Sequence, residues 1–274
     1  MNIQLLSDLH LESNPHFVAE PTPGADVLVL AGDIGSYQPG SALTRLGIED
    51  FGLARFSPRP VSEGGAGWPT PVLFIPGNHE YDGLEFDDAT RRLRAACERW
   101  GLIWLDQQSV MLQGVRFLGC TLWTDFDALN GDSLSASLAC REKAFRAANY
   151  YLRKNHSLRE GVPMLAPEVR ELGLQSQAWL RAALAQPVDG PTVVATHFAP
   201  SLLSADPRYG LAPGTAGFCN ALDELLPAAQ LWLHGHLHCP QDYRSRSCHV
   251  VANPLGYAHK REQASFQTTL LIGV

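Results

Sequence analysis

Short apolar runs recur along the whole chain, and most of them are continuous instead of alternating with polar residues. Continuous runs of this length are typical of strands that are buried on both faces of a sheet. We therefore predict strands at residues 3–6, 27–31, 72–75, 115–118, 192–195, 231–233, 249–252 and 268–272.

Helical periodicity separates several of these runs. Apolar residues between Phe86 and Trp100 follow three- and four-residue steps, and Gly101 offers a C-terminal cap. A second helix carries its apolar face over residues 172–184, and a third is predicted over about 138–152. Strands that are interleaved with helices indicate an α/β layered fold.

Two stretches interrupt the alternation of strands and helices. Residues 55–71 are rich in proline and glycine, and we predict a long loop there. Residues 124–166 insert polar and aromatic material together with the third helix. Long insertions in compact domains are often functional lids or caps, and others are merely tolerated. We expect one domain over residues 1–274, with 124–166 open to either interpretation.

The bulk properties disfavour a nucleic-acid or membrane role. The formal net charge of −7 gives a surface that as a whole repels nucleic acid and anionic membranes. No apolar run approaches the roughly 18 residues that span a bilayer, and Asp8 comes too early for the apolar region of a signal peptide. Six cysteines without Cys-x-x-Cys spacing are typical of reduced thiols in a cytoplasmic protein.

Polar residues follow five of the apolar runs at the point where each run ends. In open α/β sheets, ligands bind beyond the carboxyl ends of the strands. Each motif alone is common in loops and turns, but the ordered set predicts one site at one rim of the sheet. The residues are Asp8 and His10 after 3–6, Asp33 after 27–31, Asn78 and His79 after 72–75, His197 after 192–195, and His236 and His238 after 231–233.

Taken in order, these residues resemble the pattern of the calcineurin-like metallophosphoesterases: Asp-x-His, Gly-Asp, Gly-Asn-His-Asp/Glu, His and Gly-His-x-His. The match runs from Asp8 to His238. The resemblance implies a four-layer αββα sandwich with mixed β-sheets and a dinuclear metal centre at the strand ends. It also implies an enzyme, a hydrolase of phosphoric esters.

The resemblance further implies which residues bind each ion. One ion is expected at Asp8, His10, Asp33 and His238, and the other at Asp33, Asn78, His197 and His236, with Asp33 bridging. Carboxylate, amide oxygen and imidazole are donors that suit Mn²⁺, Fe or Zn²⁺. Two carboxylates do not neutralise two divalent ions, so the centre would keep positive charge for a phosphate group.

Asp33 and His79 are the predicted catalytic residues. Two ions about 3.5–4 Å apart would activate a water molecule to hydroxide and screen the phosphoryl oxygens. His79 would protonate the leaving group or stabilise its charge; the alternative is that it only braces its loop. The expected substrate is a small phosphorylated compound, either a diester or a monoester. The opening Ser-Asp-Leu-His and Gly-Asn-His-Glu-Tyr resemble the bacterial phosphohydrolase branch of the family.

Two alternatives stay open from the sequence. A nuclease of the same fold would need an extended basic groove, which the net acidity disfavours. A metal-bound scaffold without catalysis would be expected to lose one of the matched positions, and none is lost here.

Residues near the motifs carry weaker expectations. Glu80 is expected to orient His79 or to cap the following helix. His234 is either a hydrogen-bonding neighbour of the metal ligands or an ordinary buried histidine. Trp123, Phe126 and Tyr257 either stack on a ring of the substrate or are structural.

Overall fold

The computed structural model describes residues 1–274, which form thirteen strands and four α-helices joined by loops and short 3₁₀ turns. The strands are β1 (Asn2–Leu6), β2 (Val27–Ala31), β3 (Val72–Ile75), β4 (Ile103–Trp104), β5 (Gln108–Leu112), β6 (Val115–Cys120), β7 (Leu158–Arg159), β8 (Val162–Pro163), β9 (Thr192–Thr196), β10 (Leu231–His234), β11 (Gln241–Ser245), β12 (Cys248–Ala252) and β13 (Leu271–Gly273). The helices are α1 (Ala42–Arg45), α2 (Phe86–Trp100), α3 (Leu134–Asn155) and α4 (Ala166–Leu184).

The strands form two mixed sheets and one small hairpin. The first sheet has the order β13-β1-β2-β3-β4, and the second has the order β11-β12-β10-β9-β6-β5. The inner strands of both sheets run parallel, whereas β13, β11 and β5 are antiparallel to their neighbours. Because parallel strands end at the same edge, each sheet presents several strand ends together.

The two sheets pack face to face through one side of each strand. In β1 and β2, the alternate residues Ile3, Leu5, Val27 and Val29 point into the core between the sheets, where they meet residues of β9 and β10. Successive side chains of a strand point to opposite faces of the sheet. When both faces are buried, all of these side chains are shielded from water, so the strand is apolar throughout. The continuous apolar runs of the sequence follow from this arrangement.

The opposite faces of the sheets carry helices. Leu28, Leu30 and Phe74 face outward from the first sheet and share a core with Leu93 of α2. On the outer face of the second sheet, Trp232, Val194 and Val250 share another core with Leu180 of α4. The order of layers is helix, sheet, sheet, helix, which is the predicted four-layer sandwich.

The predicted elements are present with shifted ends. Helix α2 ends at Trp100 and is capped by Gly101, whose φ of 76° lies in the left-handed region expected of a glycine cap. Helix α3 is longer than the predicted 138–152, because Ser133 caps its N-terminus by accepting a hydrogen bond from the backbone N–H of Ala136. The strand predicted at 268–272 begins later and ends one residue beyond it, at Leu271–Gly273.

Residues 55–71 and 124–166 lie outside the strand and helix alternation, as the sequence indicates. The first contains only short 3₁₀ turns. The second contains α3 and the whole hairpin of β7 and β8, which ends at Pro163. The role of 124–166 as a lid or cap stays a prediction.

Candidate metal centre

The carboxyl ends of both sheets meet at one edge, and the seven predicted ligands lie there together. His236 comes from the second sheet, and its backbone N–H donates to the Asp8 carboxylate of the first sheet at 2.9 Å. Nε2 of His10 lies 3.0 Å from Nε2 of His238, which joins the sheets a second time. Five separate strand ends therefore converge on one place.

The donor atoms fall into two clusters that share Asp33. Within each cluster the ligand atoms lie within 4.8 Å of one another; the clusters are Asp8, His10, Asp33 and His238, and Asp33, His197 and His236. Asn78 belongs beside the second cluster, because its Oδ1 lies 3.2 Å from Nε2 of His197. This division is the one that the family resemblance implies, although the ligand roles themselves stay predictions.

The unpaired atoms of the clusters fit a cation. Oδ2 of Asp33 and Nε2 of His236 are buried and have no hydrogen-bond partner. Nδ1 of His197 donates to the carbonyl oxygen of Ala31 at 2.9 Å, so when a cation takes the place of the second proton, Nε2 carries a lone pair. That lone pair faces Asp33 Oδ2 at 3.2 Å and the Asn78 amide oxygen. Acceptors that face each other are satisfied by a positive charge between them.

The electrostatics of the site favour positive charge. Burial raises the pKa of Asp8, but hydrogen bonding and charge from His238 outweigh it and lower that pKa to about 2. Burial likewise opposes the shift of His197, yet the Asp33 carboxylate raises the pKa of this imidazole to about 9. The negative field that attracts a proton to His197 would also attract a metal ion.

Two carboxylates outside the matched motifs hold the outer nitrogen atoms of the histidines. Nδ1 of His10 lies 2.9 Å from Oε1 of Glu12, and Nδ1 of His238 lies 2.6 Å from Oε2 of Glu262. Such contacts fix the tautomer and direct Nε2 toward the centre. Sequence reasoning missed both residues. A carboxylate two positions after a predicted ligand was a signal for Glu12, whereas Glu262 is close only in the fold.

The backbone at the predicted ligands is unusual. Non-glycine residues with positive φ are uncommon, yet five of the seven ligands have such φ values: Asp8 at 53°, His10 at 45°, Asp33 at 54°, His236 at 72° and His238 at 48°. The backbone at residue 77 also lies so close to Asp33 that only glycine fits there, because a Cβ on Gly77 would come within 2.2 Å of Asp33 Oδ1. Strained conformations of this kind cluster at functional sites.

His79 lies at the edge of the centre and is held from two sides. Its backbone N–H donates to Asp33 Oδ1 at 2.8 Å, and its Nδ1 lies 2.5 Å from Oδ2 of the buried Asp82. Burial lowers the pKa of His79, but the carboxylates of Asp82 and Asp33 raise it well above the usual 6.5. Sequence reasoning did not find Asp82, which lies one short 3₁₀ turn after His79.

Glu80 has a different role from the two expected. Its carboxylate accepts hydrogen bonds from the backbone N–H groups of Asp33, Ile34 and Gly77 at 3.1, 2.6 and 2.7 Å. The expectation that Glu80 orients His79 or caps α2 is therefore wrong. This buried carboxylate connects the loops that follow β2 and β3, because each loop exposes N–H groups toward it.

His234 and the aromatic residues near the motifs have distinct positions. His234 is buried, and its Nε2 lies 3.0 Å from the Ser204 hydroxyl, so it belongs to neither donor cluster. Trp123, Phe126 and Tyr257 all line the cavity above the clusters. Tyr257 also stacks on the His10 ring with a centroid distance of 4.2 Å.

The clusters open into a cavity of about 640 Å³. Asp33, Asn78, His79, His236 and His238 lie in its wall, beside side chains of α3 and of residues 205–218. Ligand pockets of roughly 300–1,000 Å³ are typical for small molecules. The cavity is therefore large enough for a phosphate group together with an organic group.

Comparisons with known proteins agree with this fold and site. The family model of the calcineurin-like phosphoesterases matches residues 1–240. The chain is similar to the crystal structure of a phosphopantetheinyl hydrolase from Mycobacterium tuberculosis, with 19% identity, a TM-score of 0.69 and coverage of 100% of this chain and 95% of that chain. It is also 24% identical to an uncharacterized protein of Acanthamoeba polyphaga mimivirus over 204 residues, 69% of each chain.

The fold and site define a phosphoric ester hydrolase of the metal-dependent kind. The chain belongs to the calcineurin-like phosphoesterase family, because the family model covers most of its length. The family depends on two metal ions and acts on small phosphorylated substrates. None of the helices is both long and apolar enough to cross a membrane.

Proposed function

We propose that this chain hydrolyses phosphate esters of small organic molecules at two divalent metal ions. The observation that carries the proposal is the pair of donor clusters that share Asp33 at one wall of the cavity. Bound ions would supply positive charge for the phosphoryl oxygens and would make a water molecule acidic enough to attack. The residues that would hold the ions are Asp8, His10, Asp33, Asn78, His197, His236 and His238, and their donor types suit manganese, iron or zinc.

His79 would serve the leaving group. Its ring lines the cavity next to Asn78, and its side chain keeps 22% of its surface exposed. Because Asp82 holds Nδ1, the other ring nitrogen is free to face the substrate. From that position Nε2 can donate a proton to the ester oxygen as the bond to phosphorus breaks.

We propose a phosphodiester as the preferred substrate, with a phosphopantetheinyl ester as the first compound to test. A monoester needs space for one organic group, and a diester needs space for two. The cavity offers far more volume than a phosphate group fills, so it has room for both organic groups of a diester. A phosphopantetheinyl hydrolase shares this fold over its length, which makes its group a natural candidate. The residues that would select such a group are not the metal ligands, which serve any phosphate ester.

The test compares the metal-free and the Mn²⁺-loaded protein. We expect the loaded protein to release nitrophenol from bis-p-nitrophenyl phosphate faster than from p-nitrophenyl phosphate, and EDTA to abolish both reactions. A protein that binds two Mn²⁺ ions yet cleaves neither ester nor a phosphopantetheinyl ester would instead be a metal-bound scaffold. Cleavage of DNA or RNA with a steep dependence on salt would point to a nuclease.

A further inference from the structure

One wall of the cavity contains no metal ligand. Helix α3 and the residues that face it form a mainly apolar surface, which we call the α3 slot and define as Ala147, Ala148, Tyr151, Leu152 and Phe218. The slot belongs to the same cavity as Asp33 and His236, so a molecule can reach both at once.

The α3 slot leads away from the metal clusters. The C-terminal end of α3 lies beside the loop of His79, because the Asn155 carbonyl oxygen accepts a hydrogen bond from the backbone N–H of Gly83 at 2.8 Å. Ala147, Tyr151 and Asn155 follow each other at four-residue spacing along one face of the helix and line the cavity. On the helix the slot runs from Ala147 to Leu152, a rise of five residues or about 7.5 Å. The slot is thus an elongated surface that starts near the phosphate position.

The walls of the slot are apolar and left open to water. The side of α3 includes Tyr151, which is 56% exposed, and the facing wall includes Phe218, which is 37% exposed. Arg208, which lines the cavity, is bound by both oxygens of the Asp206 carboxylate, so the pair adds no net charge. Apolar surface inside a cleft is stabilised when an apolar ligand covers it.

Apart from the Arg208–Asp206 pair, the charged side chains of the cavity wall belong to the donor clusters or to the segment beside them. Lys260 lies over the ring of Tyr257, 4.7 Å from its centroid, and its charge acts on the neighbouring Glu262. Both residues belong to the segment that contacts His10 and His238. A charged tail on the ligand would therefore find no partner in the slot.

We propose that the α3 slot binds the organic group of the ester, and that this group is an extended, uncharged and largely aliphatic arm. An extended chain covers roughly 1.2 Å per bond, so a slot of about 7.5 Å matches an arm of about six bonds. Tyr151 and Phe218 are the specificity-determining residues. The inference rests on the proposed function, because it takes the phosphate to be held at the metal clusters.

The test measures binding instead of turnover. Methyl-, butyl- and hexylphosphonate carry the same anionic group and differ only in the length of the arm. On the Mn²⁺-loaded protein, titration calorimetry is expected to give a Kd that tightens about threefold for each added methylene. A hexylphosphonate that binds no more tightly than methylphosphonate would overturn the proposal.

Two pairs of variants locate the effect on α3. Ala147→Trp fills the slot, and Ala139→Trp places the same side chain at an exposed position of the same helix. Tyr151→Ala opens the slot, and Tyr150→Ala removes a neighbouring ring of similar exposure, 62% against 56%. The quantity compared is the Kd of methylphosphonate divided by the Kd of hexylphosphonate. We expect Ala147→Trp and Tyr151→Ala to reduce this ratio about tenfold, and both control variants to leave it unchanged.

The outcomes separate this inference from the proposed function. Tyr151→Ala, which removes only a half-exposed ring, keeps the test open if Ala147→Trp does not fold. If Tyr151→Ala and Tyr150→Ala alter the ratio equally, the slot is not the arm's binding site. Failure to hydrolyse bis-p-nitrophenyl phosphate contradicts the proposed function alone, because phosphonate binding needs no hydrolysis.

Discussion

Asp82 binds Nδ1 of His79 from a fully buried position at 2.5 Å, and the two residues are joined by a single 3₁₀ turn. In the part of the cavity that His79 lines, this contact decides which ring nitrogen can face a substrate. The relationship makes the loop after β3 more than a source of the predicted ligand Asn78. It suggests that the loop presents an oriented imidazole beside the metal clusters.

In the proposed mechanism the imidazole of His79 serves the leaving group and is not a ligand. We therefore predict that His79→Ala lowers kcat about 10²- to 10⁴-fold while two metal ions remain bound. Steady-state kinetics on a dialkyl phosphate and metal analysis of the same sample check both parts. Loss of one ion in this variant would assign His79 to the metal centre instead.

Asp82→Asn is expected to act through the orientation of His79. We predict that it lowers kcat about tenfold or more for an ester with an alkyl leaving group, and much less for bis-p-nitrophenyl phosphate, because nitrophenolate needs little help to leave. KM should change little in both cases. Asp87→Asn, an exposed carboxylate in the first turn of α2, is the control. Equal losses on both substrates would indicate that Asp82 only supports the fold.

Asp33→Asn tests the shared position of the two clusters. Since Asp33 contributes to both, we expect fewer than two bound ions per chain and a loss of activity of at least about a hundredfold. Metal content after dialysis and hydrolysis of bis-p-nitrophenyl phosphate are the measurements. The exposed Asp189 offers a matched Asp→Asn control that lies outside both clusters. Two tightly held ions in the Asp33 variant would contradict a bridging role.

Glu80→Ala is expected to destabilise the fold. Removing the carboxylate leaves the N–H groups of Asp33, Ile34 and Gly77 buried without a partner. Unsatisfied buried groups cost about 1–3 kcal/mol each, so a fall of about 3 kcal/mol or more in the free energy of unfolding is expected. Urea denaturation of the metal-free protein measures it. An unchanged midpoint relative to the exposed Glu63→Ala control would show that these N–H groups find other partners.

Asp127 gives a pH-dependent contribution to stability. Burial opposes the shift, but Arg141 and Arg170 bind its carboxylate and lower the folded pKa below the 3.8 of the free side chain. The stabilisation is therefore complete above pH 3.8 and is lost as pH falls through the folded pKa. We expect Asp127→Asn to cost about 1 kcal/mol at pH 7, and the difference to shrink near pH 3. A cost that is equal at both pH values would exclude this ion pair as its source.

The sequence predicts the core of this fold because the relevant signals are local. The strands 27–31 and 72–75 coincide with β2 and β3, since inner parallel strands are apolar on both faces. The ends of these strands carry Asp33 and Asn78, so the motif and its position are read together. The edge strands β5 and β11 were not predicted, because they alternate exposed and half-buried residues and lack a continuous apolar run.

The contacts that support the site were harder to predict because they depend on tertiary packing. Glu262 reaches His238 across 24 residues, and Glu80 reaches Asp33 across 47. Neither distance leaves a periodic signal in the chain. Asp82 is close in sequence to His79, yet only the 3₁₀ turn at this point brings the two side chains together. Side chains that act through another residue are thus the least visible from sequence.

Each donor cluster takes its side chains from both sheets: Asp8, His10 and Asp33 meet His238, and Asp33 also meets His197 and His236. Ions bound there would cross-link the two halves of the sandwich, so that unfolding would have to release them. Free metal at a hundred times its Kd would add about 2.7 kcal/mol of stability for each ion. The melting temperature of the chain would then report how many of its metal sites are occupied. Removing the ions with a chelator would weaken the association of the two sheets even when no substrate is present.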